Sequence, residues 1–206
     1  RRQSNNPTGV TMRFLSYLIE GIRLGSVYSI IALGYTMVYG IAKMLNFAHG
    51  DVIMVGGFVV FTVMSIWGQS PILAVIAAVI VCTLLGVTIE RIAYRPLRKA
   101  TSLAVLITAI GVSYLLQNLA LLIFGANIKS FTSVFNLEPI RLAEGEISIS
   151  GETVVTIIAC IVIMIGLTTF IKRSKTGRAM IAVSEDKDAA VLMGVNVNKT
   201  IATTFA

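Results

Sequence analysis

The run PILAVIAAVIVCTLLGVTI, Pro71 to Ile89, holds no charged side chain. As a helix it rises about 28 Å, close to the roughly 30 Å hydrocarbon core of a bilayer. No soluble domain keeps such a run in water without wrapping it on every side. With 56% hydrophobic and 13% charged residues, the chain lacks the polar surface to do so. Further apolar runs give expected spans at about 15–41 (most apolar from Leu24 to Ile41), 52–66, 71–89, 103–124 and 153–171, with a sixth starting near Thr200. The expected fold is an all-α, polytopic transmembrane helical bundle. Because the last run is cut at Ala206, residues 12–206 are read as an incomplete membrane domain. The polar stretch RRQSNNPTGVT, residues 1–11, precedes Met12 and is read as leader or appended sequence.

The net charge of +7 does not point to nucleic acid, because the cations flank the spans instead of lining an amphipathic face with aromatic stacking positions. They report orientation. Arg91, Arg95, Arg98 and Lys99 face Glu90 alone after the third span, and Lys172, Arg173, Lys175 and Arg178 follow the fifth. By the positive-inside rule, loops 90–102 and 172–199 are expected to be cytoplasmic. Segment 125–152 carries Glu138, Glu144, Glu146 and Glu152 against Lys129 and Arg141, so it is expected on the opposite side. Its alternating ISIS and a Glu-Pro turn predict a small β element there.

Spans two to five are read without any Asp, Glu, Lys, Arg or His, which disfavours a proton-coupled carrier and leaves a channel open. Cys82 and Cys160 lie in apolar runs with no zinc-like spacing and read as small buried hydrophobes. No nucleophile, base and orienting group converge, so no catalytic residue and no metal site is expected. Two polar features stand out. Gln117 and Asn118 sit side by side in the fourth span, either as interhelical hydrogen-bonding groups or as lining of a solute path. LNFAHGD places Asn46, Phe47, the only histidine His49, Gly50 and Asp51 between spans one and two. There Asn46 and Asp51 are expected to bond exposed backbone, Gly50 to allow a tight turn, and Lys43 to reach the interface. The segment reads either as a structural corner or as a hinge beside the pathway.

Segment 172–199 is long for a loop between spans, and long ordered loops tend to be functional. A first short helix is predicted at Arg178 to Val183. A second is predicted from Ser184, its hydroxyl as cap, Glu185 and Asp186 complementing the dipole, and Gly194 as stop. Ala179, Met180, Ile181, Ala189, Ala190, Val191 and Leu192 give these helices apolar edges. The result is a rigid knob of the kind a separate soluble motor can push.

Three segments carry a specific likeness: GIRLGSVYSIIALGYTMVYGIAKMLNFAHGD (21–51), IERIAYRPLRKATSLAVLITAIGVSYLLQN (89–118) and SKTGRAMIAVSEDKDAAVLMGVNVNKTIATTFA (174–206). In them the chain resembles the permease subunit of a bacterial ATP-binding-cassette importer of the branched-chain (hydrophobic) amino acid class, the smaller of two homologous permeases. That resemblance implies a bacterial inner-membrane protein. About five or six of roughly eight spans would then be present, by the length each needs. It also implies a second permease, two cytosolic ATP-binding subunits, an extracytoplasmic binding protein, contact with membrane lipid, and no cofactor on this chain, since ATP and Mg belong to the partners. Carried over residue by residue, the ATPase-coupling loop lies at Gly177, Arg178, Ala179, Met180, Ala182, Glu185, Asp186, Ala189, Ala190 and Gly194. Ile181 departs from the basic residue many relatives have there. Related permeases serving urea or short amides, and an ATP-independent channel or carrier, are the alternatives.

Overall fold

The computed structural model describes residues 7–98, 100–129, 140–142, 147–149 and 151–206. Residues 1–6 and the acidic Glu138, Glu144 and Glu146 lie outside that set. In chain order the elements are α1 (Pro7–Ala42), α2 (His49–Phe61), α3 (Pro71–Ile89), α4 (Ser102–Phe124), β1 (Ile140–Leu142), β2 (Ile147–Ile149), α5 (Gly151–Arg173), α6 (Lys175–Glu185), α7 (Lys187–Leu192) and α8 (Val197–Phe205). Among the described residues, five helices are long and apolar enough to cross a membrane: Phe14–Ala42, His49–Ile66, Pro71–Leu97, Ser102–Phe124 and Gly151–Arg173. The predicted all-helical multi-span architecture is what is found.

Contacts divide the chain into two compact units, 1–33 with 133–169 and 34–132 with 170–206. In the first, α1 keeps its hydroxyls satisfied locally: Ser26 donates to the Ile22 carbonyl at 2.8 Å and Ser29 to that of Gly25 at 2.8 Å. Such back-bonding is how a polar side chain is tolerated on a helix surrounded by hydrocarbon. Glu20 and Arg23, one turn apart, pair with each other. β1 and β2 form the small β element that ISIS predicts, antiparallel with Arg141 opposite Ser148.

The second unit is built on α2 against α3, with α4, α6, α7 and α8 packed around them. Gly56 lets α2 approach α3, since a Cβ there would lie 3.0 Å from Cys82 Sγ. Cys82 also reaches the Val52 carbonyl at 3.5 Å. Both cysteines, expected as small buried hydrophobes, are half-buried. Phe58 of α2 stacks on Phe124 of α4 at 4.2 Å between centroids. Large apolar side chains such as Ile72, Leu122 and Ile123 stay on the outside, the pattern for helices whose solvent is lipid or another membrane subunit.

Helix ends depart from expectation in three places. The first is α1, which already begins at Pro7, within the 1–11 stretch read as leader or appended sequence. The charged stretch after Ile89 is not a loop: α3 runs on through a π-helical turn, Glu90–Tyr94, and a short 3₁₀ turn, Arg95–Leu97. The expected runs 52–66 and 71–89 hold no Asp, Glu, Lys, Arg or His, but the helices that carry them extend further and take in His49 and Asp51 in one and Glu90, Arg91 and Arg95 in the other. In the long connection, Ser184 does not start a helix. It lies inside α6 and donates back to the Ile181 carbonyl at 2.7 Å. α6 is capped instead by Ser174, whose hydroxyl accepts from the Gly177 N–H at 2.8 Å. α7 is capped by Asp186, which accepts from the N–H of Asp188 at 2.8 Å and of Ala189 at 3.0 Å. Gly194, at φ +81°, ends α7 as expected. Asp186→Ala is expected to cost about 1 kcal/mol of local stability. Hydrogen exchange should show it as faster exchange at the amides of 188 and 189, with α2 and α3 unaffected.

Candidate functional site

Two sets of sequence-predicted residues can be followed upward from their helices. The first is the corner between α1 and α2. α1 ends with Lys43 in the left-handed region at φ +56°, its N–H still bonded to the Tyr39 carbonyl at 2.8 Å. The tight conformation expected at Gly50 thus falls on Lys43, and Gly50 sits exposed in the first turn of α2. Alternate residues then turn inward: Met44, Asn46 and Ala48 are buried, whereas Leu45 and Phe47 are exposed.

The corner's polar groups do not serve exposed backbone as expected; they tie helices together. Asn46 Oδ1 accepts from the Tyr94 hydroxyl at 3.0 Å, both side chains being buried. Asp51, only 8% exposed, accepts from Gln117 Nε2 at 3.0 Å, and that nitrogen also reaches Ser113 Oγ at 3.1 Å. A carboxylate in an apolar unit needs such a donor. Asp51 also lies in the first turn of α2, where the helix dipole favours an anion, as expected. His49 faces the Tyr35 ring edge-on at 6.0 Å and lies against Gly34, where a Cβ would come within 3.3 Å of it. Asn118 stays out of this network, donating to the Tyr114 carbonyl of its own helix at 2.7 Å. Asn46 is therefore brought together with Tyr94, and Asp51 with Gln117; Asn118, Phe47 and Gly50 join neither pair.

The second set is the elbow of α6 and α7. Its residues divide by face. Gly177, Met180 and Ala190 are buried, together with Val183, and hold the elbow to the unit. Arg178, Ala182, Glu185, Asp186, Ala189 and Gly194 face outward, and Ala179 is half-buried. Beyond them Val191, Leu192 and Met193 form an exposed apolar tip, with Leu192 87% and Met193 84% exposed. Lys187 fastens the start of α7 to the end of α1 by donating to the Ala42 carbonyl at 2.9 Å. That lysine was missed from the sequence, although a single cation inside the acidic SEDKD was the available signal. Also missed was the ion pair of buried Glu90 with Arg98, which in turn donates to Asn198 on α8. Burial, then the charges of Arg98 and Lys43, lower the Lys187 pKa from the ordinary lysine range. Among the described residues no group of three His, Cys, Asp or Glu side chains could hold a metal ion.

The sequence model of the family described as branched-chain amino acid transport system, permease component, matches residues 17–206. The chain is 40% identical over 205 residues to the high-affinity branched-chain amino acid transport system permease protein BraD of Pseudomonas aeruginosa, covering 93% of this chain and 66% of that protein. It is 40% identical over 202 residues to LivH of Salmonella typhimurium, a protein of the same description, with the same coverage. To the probable branched-chain amino acid transport permease protein LivH of Methanocaldococcus jannaschii it is 26% identical over 191 residues, covering 89% of this chain and 59% of that one. The chain thus spans about two thirds of the length of the bacterial relatives. No solved structure matches it.

Proposed function

The chain belongs to the family of branched-chain amino acid transport system permease components, and from that premise we propose that it forms part of the translocation path of an ATP-driven importer for branched-chain or other small amino acids. In this reading it sits in a bacterial inner membrane beside a second, homologous permease. Two cytosolic ATP-binding subunits drive the pair and an extracytoplasmic binding protein delivers the solute. Segment 172–199 and the end of the third span face the cytoplasm, and 125–152 faces outward. ATP and Mg are held by the partners, and this chain contributes no catalytic group.

One observation supports the mechanical part: the α6–α7 elbow is anchored by buried Met180, Val183 and Ala190 and yet presents Val191, Leu192 and Met193 bare. An apolar tip on a short, capped, fastened pair of helices transmits a push instead of absorbing it, and its exposed surface is what a partner would cover. The polar ties of Asn46 to Tyr94 and of Asp51 to Gln117 favour the corner over the hinge for LNFAHGD. They cross-link helices that a moving hinge would have to free.

The test is capture of the ATP-binding subunits by the full-length permease and its partner, with residues 178–193 native or replaced by a Gly/Ser linker. Capture by the native form and loss in the linker form are expected, with loss of leucine, isoleucine and valine uptake alongside. If neither form captures them while the protein stays folded in detergent, the coupling assignment fails and an ATP-independent channel or carrier takes its place.

A further inference from the structure

A cavity of about 320 Å³ opens between the end of α1, the segment joining α3 to α4, and the start of α7. Lys43, Arg98 and Lys187 line it, and no carboxylate among the described residues does. Glu90 neutralises Arg98 from behind. Three cations against one carboxylate leave a surplus of two positive charges in a partly enclosed space.

Two of these cations have donors to spare. Arg98 directs hydrogen bonds to Glu90 and Asn198, but its Nε–H is buried with no acceptor among the described residues. Such an unmet buried donor is costly and calls for an explanation. Lys187 spends one N–H on the Ala42 carbonyl at 2.9 Å and has two more. Arg98 and Lys43 also act on Lys187 as like charges, a repulsion that a bound anion would relieve. Met44, Leu97 and Val105 give the remaining wall an apolar part, beside the hydroxyl-bearing Tyr39 and Ser102. A group with several anionic oxygens joined to a less polar body matches both halves.

We propose that this cavity binds a phosphate group, presented by the headgroup of an anionic lipid or as free phosphate, with Lys43, Arg98 and Lys187 as its donors. Phosphate suits it better than a carboxylate, because its oxygens point in several directions and can meet donors arriving from three separate elements. Basic pockets between membrane helices are suited to anionic headgroups on the same electrostatic ground.

Thermal unfolding of the full-length permease in neutral detergent tests this. Phosphatidylglycerol, phosphatidylcholine, or sodium phosphate against chloride at equal ionic strength is titrated in. The variants are Lys43→Gln with Lys187→Gln, and Lys43→Arg with Lys187→Arg. A saturable rise in Tm with phosphatidylglycerol but not phosphatidylcholine is expected. Its half-saturation should weaken about tenfold or more in the glutamine pair and be kept in the arginine pair. If sodium phosphate reproduces the rise and the glutamine pair loses it, the site is upheld with the free ion as its source. Should the glutamine pair not fold, Lys43→Gln alone, at an exposed position, is expected to weaken binding in the same direction. The proposal is overturned if neither anion exceeds its control, or if the rise is undiminished in the glutamine variants.

Discussion

Gly177→Ala is expected to uncouple the protein without removing it from the membrane. A Cβ at Gly177 would lie 2.1 Å from the carbonyl oxygen of Ile171, 2.4 Å from its Cα and 2.5 Å from its carbonyl carbon. These are backbone atoms in the last turn of α5 and cannot rotate aside. Either that turn unwinds or α6 swings away. Swinging away breaks the Ser174 cap at Gly177 and draws Met180 and Val183 out of the unit, where each is 1% exposed. Overpacking of this kind costs about 1–3 kcal/mol, and the lost cap about 1 more. The cost falls on the elbow, because α2, α3 and α4 pack without Gly177. The expected result is normal membrane yield, little capture of ATP-binding subunits and near-background uptake of branched-chain amino acids. Thr176→Ala, at an exposed neighbouring position, serves as control and should behave as the native protein. Native capture and uptake by Gly177→Ala would sink the idea that the seating of α6 matters.

The five spans were legible because the bilayer sets one length scale, and runs such as 71–89 meet it by composition alone. The knob in 172–199 was legible as two short helices because cap and stop residues are local signals. Its start was misread because Ser184 and Asp186 both satisfy cap chemistry. The choice between them was made by α6 running on to Glu185, which depends on Met180 and Val183 being buried. The corner was legible as a corner and not as a network: Asn46 meets Tyr94 and Asp51 meets Gln117 across 48 and 66 residues of sequence. Nothing in the spacing of a single chain announces such pairs. ERIAYRPLR was read as a loop because its charges look wet. A π turn brings Glu90 and Tyr94 both inward, and Arg98 supplies the charge that lets Glu90 stay there. Hydropathy counts charges one at a time and cannot see a pair that shields itself.

That pair carries the second large effect. The Glu90 side chain is 2% exposed and that of Arg98 15%, so Glu90→Ala leaves a largely buried guanidinium without its counter-charge. Removing one partner of a buried pair costs about 3–5 kcal/mol, whereas removing both can be close to neutral. Glu90→Ala is therefore expected to lower the melting temperature in detergent by roughly 10 °C. Glu90→Met with Arg98→Met should recover most of that loss, short of what the bond from Arg98 to Asn198 contributes. A single variant that melts with the native protein would show that Arg98 finds water or another acceptor when Glu90 is gone. The bound anion adds a sharper reading. With Glu90 absent, a phosphate in the neighbouring cavity becomes the remaining counter-charge for Arg98. Phosphatidylglycerol or free phosphate should then raise the melting temperature of Glu90→Ala more than that of the native chain, and should not do so for the methionine pair. Equal stabilisation of all three would separate the ion pair from the cavity and leave Arg98 with a purely structural role.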